Sequence, residues 1–182
     1  MRSRPALAYD DAEKGVVLVR TVVGVMGGAI ADADVCADAH EVGRLIALEE
    51  WVLLTGGRDA GVMAESSRGA SEAGGLVVGV LPGDSTEGTA PHVHVAIPTG
   101  MGDARNAINV LASEVIIALP GGAGTVSEIA LALKSGRPVV LLGFPLGTPF
   151  ERYYLSGRLV DAETPADAIA IATSFLAEKD LA

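Results

Sequence analysis

Six short runs of apolar residues, rich in β-branched side chains, recur along the chain at residues 21–25, 51–54, 76–81, 93–97, 115–119 and 138–142. Most are apolar at successive rather than alternate positions, so both faces of each run must be covered. Strands of a parallel sheet between two layers of helices meet that requirement. Between and after the runs, residues 31–49, 62–73, 103–113, 125–134 and 166–179 read as helices. The β-α alternation predicts an α/β fold, a doubly wound parallel sheet flanked by helices, with right-handed crossovers.

Local punctuation agrees with these boundaries. Ser135-Gly136-Arg137-Pro138 reads as a helix stop, and Thr164-Pro165-Ala166-Asp167 combines an N-cap, a first-turn proline and an early acid. Residues 82–91, with Gly83-Asp84-Ser85-Thr86-Glu87-Gly88, read as a surface loop that can flank a site. No repeat of fixed period is present. Residues 1–15 are expected to form a short extension and residues 16–182 one ligand-binding domain, a length sufficient for a sizeable core.

Composition narrows the picture. Hydrophobic residues make up 49% of the chain and aromatics only 4%, so the core must be aliphatic, and 23 glycines imply frequent turns. A formal charge of −10 argues against a nucleic-acid-binding face, which needs clustered Lys and Arg. An anionic ligand must therefore be gripped locally. Cys36 is the single cysteine, and no CxxC or HExxH spacing offers a metal cage. With no signal-peptide pattern and no membrane-length apolar stretch, a cytoplasmic protein is expected.

Candidate chemistry gathers at the ends of the apolar runs. Pro120-Gly121-Gly122-Ala123-Gly124-Thr125-Val126-Ser127-Glu128 follows one run and opens a helix. Glycines let backbone N–H groups approach an anion, and a helix start adds unpaired donors and the positive end of the dipole. Thr55-Gly56-Gly57-Arg58 repeats the device after a second run, and Gly27-Gly28 closes a third. In a parallel sheet these ends converge, so a phosphorylated small molecule is the expected ligand. The alternative is that the glycines merely make tight turns. Neither Gly-x-Gly-x-x-Gly nor Gly-Lys-Ser/Thr is present, which disfavours a dinucleotide fingerprint and a Walker-type ATPase.

Thr99-Gly100-Met101-Gly102-Asp103-Ala104-Arg105-Asn106 places Arg105 in the first turn of a predicted helix, where the dipole does not welcome a cation. An anion would compensate, with a structural salt bridge as the alternative. Asp103 reads as a cap. Glu128, read as lying in the first turn of its helix, is either dipole-stabilised or an acid/base group acting on a sugar. His92 and His94 are expected to share a strand face without a third ligand, and Cys36 with His40 to share a helix face in packing. Arg58 can reach the same anion, while Lys134 and Arg137 read as serving a helix C-terminus.

Over residues 20 to 145 the chain resembles the Rossmann-like superfamily that contains the Lonely Guy phosphoribohydrolases, once mislabelled lysine decarboxylases, and the molybdenum cofactor carrier proteins. The Pro-Gly-Gly-x-Gly-Thr-x-x-Glu signature stands in full at residues 120–128. Thr55-Gly56-Gly57-Arg58-Asp59-Ala60-Gly61-Val62-Met63, Gly79-Val80-Leu81-Pro82, Gly100-Met101-Gly102-Asp103-Ala104-Arg105-Asn106 and Ala130-Leu131-Ala132-Leu133-Lys134 are more similar to the carrier branch. That resemblance implies a protein that binds, carries and protects the molybdenum cofactor, a pterin phosphate whose metal is held by its own dithiolene and by no protein ligand. The contacts it implies are Gly27, Gly28, Thr55, Gly56, Gly57, Arg58, Gly100, Met101, Gly102, Arg105, Pro120, Gly121, Gly122, Gly124, Thr125 and Glu128. It also implies a homo-oligomer, dimer or tetramer, exchanging cofactor with molybdoenzymes or cofactor-synthesis proteins. In the hydrolase branch Arg105 and Glu128 would instead be catalytic, cleaving the N-glycosidic bond of AMP or an N6-modified AMP. Two departures count against that branch: Asn106 replaces a lysine and Ser127 an acid.

Overall fold

The computed structural model describes residues 19–179, so the expected extension at residues 1–15 lies outside them. Seven strands form one sheet: β1 (Val22–Met26), β2 (Val52–Thr55), β3 (Leu76–Leu81), β4 (Val95–Pro98), β5 (Val115–Ala118), β6 (Val139–Leu142) and β7 (Leu159–Ala162). Their order is β4-β3-β2-β1-β5-β6-β7, and every neighbouring pair is parallel. Among the described residues six α-helices accompany them: α1 (Ala33–Leu48), α2 (Gly61–Glu72), α3 (Asn106–Ala112), α4 (Ala123–Lys134), α5 (Glu151–Leu155) and α6 (Pro165–Lys179).

The apolar runs supply both layers of core because successive side chains leave opposite faces of a strand. Val23, Val25, Val115, Ile117, Val140 and Leu142 face α1, α2 and α6, which contribute Val42, Ile46, Val62 and Ile169. Met26, Ile116, Ala118, Val139 and Leu141 face α3 and α4, which contribute Val110, Ile129 and Leu133. With few aromatics available, close approach replaces bulk. A Cβ at Gly43 of α1 would strike the Ser66 carbonyl of α2, and one at Gly69 would strike the His40 carbonyl, so these two helices touch backbone to backbone.

The chain runs outward from β1 through β2 and β3 to β4, then returns to lay β5 on the other side of β1. Connections therefore leave β1 and β5 in opposite directions, and a crevice opens beyond their carboxyl ends. The glycine-rich turns lie there.

The structure also corrects the boundaries read from sequence. β7 and α5 were not expected: β7 is four residues long and carries Asp161, and the aromatics Phe144, Phe150, Tyr153 and Tyr154 pack the segment before it against the core. β4 begins at Val95, so His92 and His94 precede the strand and share none of its faces. The His94 Nδ1 accepts from the Val77 amide at 3.1 Å. Residues 102–105 form a 3₁₀ turn, with α3 starting only at Asn106. Arg137 reaches past its own helix to donate to the Leu111 carbonyl near the end of α3, at 3.1 Å. His40 pairs with Glu72 across the α1–α2 crossing at 3.0 Å rather than merely packing.

Candidate functional site

Three strand ends build the crevice. After β1, the Gly28 amide donates to the Pro120 carbonyl after β5 at 3.0 Å, and the Gly28 carbonyl accepts from Val62 at the start of α2, also at 3.0 Å. A Cβ at Gly28 would lie 2.8 Å from the Ile30 carbonyl oxygen, and one at Gly121 would run into the Thr125 hydroxyl and come within 2.8 Å of the Gly28 amide. Gly57 sits at φ +75°, and a Cβ there would lie 3.0 Å from the Gly79 Cα, where a side chain has no room. These glycines hold the turns together.

Gly122 and Gly124 differ. A Cβ at either meets nothing within 4 Å, and both line the cleft. Protein packing does not require a glycine at either position, whereas a ligand lying against the backbone would. The N-terminus of α4 points the same way. Asp32 caps α1 by accepting from the Val35 amide at 2.9 Å, and Thr164 caps α6 by accepting from Asp167 at 3.1 Å. α4 has no side-chain cap, as is also true of α2, α3 and α5, and it opens on the cleft at Gly122. Its first amides and the positive end of its dipole are available to an anion.

Opposite that helix start lies Arg105, the last residue of the 3₁₀ turn and not, as expected, part of the following helix. It is only 9% exposed, and its Nε and Nη1 have no hydrogen-bond partner among the described residues. Gly56 makes room for it, since a Cβ there would lie 2.6 Å from Nη1 and 2.8 Å from Nη2. The nearest carboxylate is Glu128, whose Oε1 is 4.0 Å from Nη1, beyond hydrogen-bond range. The salt bridge that stood as the alternative to an anion is thus present but loose, and it leaves donors over. Burial pulls the Arg105 pKa down, Glu128 raises it, the neighbouring Arg58 lowers it further and Asp103 raises it. A guanidinium stays charged through such shifts.

Glu128 falls in the second turn of α4 rather than the first. It is 7% exposed, and Oε1 accepts from the Asn109 Nδ2 at 2.8 Å. Burial pushes its carboxyl above the usual range, opposed by the Asn109 hydrogen bond and the Arg105 charge. One turn earlier on α3, Asn106 Nδ2 donates to Ser127 Oγ at 2.9 Å, and that hydroxyl donates to the Gly124 carbonyl at 2.7 Å. Two asparagines at i, i+3 therefore grip two consecutive residues of α4. They fix Glu128 and the glycine loop relative to Arg105.

The cleft has a volume of about 170 Å³. Sites that enclose a drug-sized ligand run to about 300–1,000 Å³, so this one can engulf a phosphate-sized group while the remainder of a larger ligand lies across its mouth. Of the residues expected in the site, Gly27, Gly56, Arg58, Arg105, Gly122, Gly124, Thr125 and Glu128 line it. Gly28, Thr55, Gly57, Gly100, Met101, Gly102, Pro120 and Gly121 do not; several of these shape the turns behind it. Asp103, expected as a cap, lines the cleft and is exposed, so a second carboxylate is present. Met26, Ala29, Met63 and Asn106 also line it without having been singled out as contacts. Asn109 was missed altogether, although a second asparagine three residues after Asn106 in an otherwise apolar helix is a legible signal.

A second groove, between α1 and α2, contains Cys36 and His40, and its Glu41, Glu65 and Arg68 are engaged in ion pairs. Among the described residues no group of three or more His, Cys, Asp or Glu is placed to hold a metal.

The family model described as SLOG cluster4 matches residues 20–169. The molybdenum cofactor binding protein of the phototrophic bacterium Rippkaea orientalis is 44% identical, with a TM-score of 0.82 over 88% of this chain and 99% of that one. The molybdenum cofactor carrier protein of Chlamydomonas reinhardtii is 43% identical, with a TM-score of 0.78 over 87% and 99% of the two chains. An uncharacterized protein of Archaeoglobus fulgidus is 40% identical over 147 residues, 81% of this chain and 91% of that one.

Proposed function

The chain belongs to the SLOG cluster4 family, and from that premise we propose that it binds the molybdenum cofactor and carries it in protected form. The observation that carries this reading is a buried cation short of partners, Arg105, facing an uncapped helix start whose Gly122 and Gly124 leave open space where side chains would stand. A phosphate supplies what that arrangement lacks: oxygens for the Arg105 donors and for the α4 amides. Arg58 adds a second cation at the cleft wall. The names of the two similar solved structures support the molybdenum cofactor as the phosphate's owner.

In this reading residues 122–125 would hold the cofactor's terminal phosphate, and the apolar lining of Ala29, Met26 and Met63 would be available to the rest of the ligand. The bound cofactor brings its own dithiolene to its metal. Among the described residues, those that line the cleft include no cysteine or histidine. The protein's part is to hold the phosphate, orient the flat ring and keep the cofactor from solvent. Work as a cytoplasmic homo-oligomer, dimer or tetramer, that exchanges cofactor with molybdoenzymes or cofactor-synthesis proteins belongs to the same proposal.

A second reading has its own support. Glu128, held above the usual carboxylate range beside Arg105, has the makings of a general acid for cleaving the N-glycosidic bond of AMP. One experiment separates the two. Anaerobic titration with purified molybdenum cofactor is expected to give saturable binding, with no AMP hydrolysis by the same preparation. Hydrolysis that disappears in Glu128→Gln, without cofactor binding, would make the protein an enzyme. Gly122→Val is expected to abolish cofactor binding while leaving the melting temperature unchanged, because the added side chain meets only the ligand's space.

A further inference from the structure

Glu128 is a negative charge in a cleft read as holding an anion; it lines that cleft, buried, with Oε1 4.0 Å from Arg105 Nη1. A buried carboxylate is costly unless matched by a cation in good geometry. Here the match is incomplete: the pair is too long for a hydrogen bond, and Arg105 Nε and Nη1 remain unpartnered among the described residues. In the empty cleft, then, Glu128 is the counter-ion of Arg105. An anion that engages the free Arg105 donors takes over that role and sets a second negative charge against Glu128 where solvent screens weakly.

We propose that Glu128 is a proton-accepting counter-ion, so that the cleft takes up its anion together with one proton. The inference rests on the anion-binding reading above. The proton comes from solvent and forms an O–H bond at Oε2, because Oε1 is already held by the Asn109 amide at 2.8 Å. Arg105 and ionised Glu128 sum to zero. With a bound dianion the sum would be −2, and protonation brings it to −1. The protonated carboxyl is also a hydrogen-bond donor, which favours phosphate-like oxygens.

The surroundings of Glu128 permit this. From the segment leading into and through α3 it faces Arg105 and Asn109; Arg58 from the β2–α2 turn and Asp103 from the 3₁₀ turn line the same cleft. The β1 end contributes Val25, Met26 and Gly27, none of which titrates. Burial already pushes Glu128 upward, and of the two groups that oppose it, Asn109 and Arg105, the ligand engages the second. Binding therefore raises its pKa further. Affinity is greatest below the empty-site pKa and falls as pH rises toward the occupied-site pKa, by up to about tenfold per pH unit for one linked proton.

Sulfate is the probe, since its own charge is constant between about pH 5 and 9 and any proton exchanged is the protein's. Calorimetry in two buffers of different ionisation enthalpy counts that proton. Wild type is expected to take up protons on binding sulfate. Glu128→Gln, a neutral isostere of the protonated form, is expected to bind with no uptake and with pH-independent affinity. Asn109→Ala removes a donor that favours the ionised form, and is expected to move the fall in affinity to higher pH; this keeps the test open should Glu128→Gln not fold. Sulfate binding without proton uptake at any pH in the range, or uptake that persists in Glu128→Gln, overturns the inference and leaves the carrier reading standing if the molybdenum cofactor still binds. Uptake on sulfate binding without cofactor binding overturns the carrier reading alone. Absence of sulfate binding overturns the anion-site reading and this inference with it.

Discussion

Gly121 and Gly122 are neighbours with opposite duties. At Gly121 a Cβ collides with the Thr125 hydroxyl and crowds the Gly28 amide, whereas at Gly122 it meets nothing. Gly121→Ala is therefore expected to destabilise the protein by about 1–3 kcal/mol, the cost of overpacking a closed site, and to lower the melting temperature measurably. Gly122→Ala is expected to leave stability within about 0.5 kcal/mol, as substitutions outside packed features do. Thermal denaturation of the two variants side by side checks the assignment of one glycine to architecture and the other to ligand. Equal losses would mean that Gly122 also serves the fold. The signature motif reads the same through both positions, so this division was invisible in the sequence.

At the level of elements, α1 and α6 start on a side-chain cap whereas α2, α3, α4 and α5 do not, and α4 is the uncapped helix whose Gly122 and Gly124 line the cleft. Thr164 both accepts from the Asp167 amide and donates to its carboxylate at 2.8 Å, while α4 begins uncapped beside the cleft. Thr164→Ala is expected to cost about 1 kcal/mol of stability, the usual loss for a cap, with ligand affinity unchanged. Denaturant unfolding combined with sulfate titration tests both halves of that statement. The Thr-Pro-x-Asp pattern announced this cap in the sequence. No comparable pattern announced β7 or α5, because a four-residue strand containing Asp161 offers too little periodicity, and the segment before it packs its aromatics against a core that only the fold assembles.

The molecule as a whole carries a formal charge of −10 while its cleft carries Arg58 and Arg105. Self-repulsion of that size destabilises the compact state. Raising NaCl from about 10 mM to about 0.15 M shortens the Debye length from about 30 to about 8 Å, and the melting temperature at pH 7 is expected to rise; a fall would show that ion pairs such as Arg44–Glu41 and Arg68–Glu65 outweigh the net charge. The sequence by itself determined the class of fold, the parallel sheet and the positions of its glycine-rich turns, because continuous apolar runs admit only strands covered on both faces and because Gly and Pro act locally. It also determined that Arg58, Arg105 and Glu128 belong to the candidate chemistry. Tertiary structure alone decided that β1 and β5 part at the topological switch, which draws residues 27, 56, 105 and 122 to one cleft. It alone decided that Asn109 holds Glu128 and that Arg105 lies buried without full partners. Those facts depend on which distant segments meet, and burial and unsatisfied donors are properties of that meeting rather than of any stretch of chain.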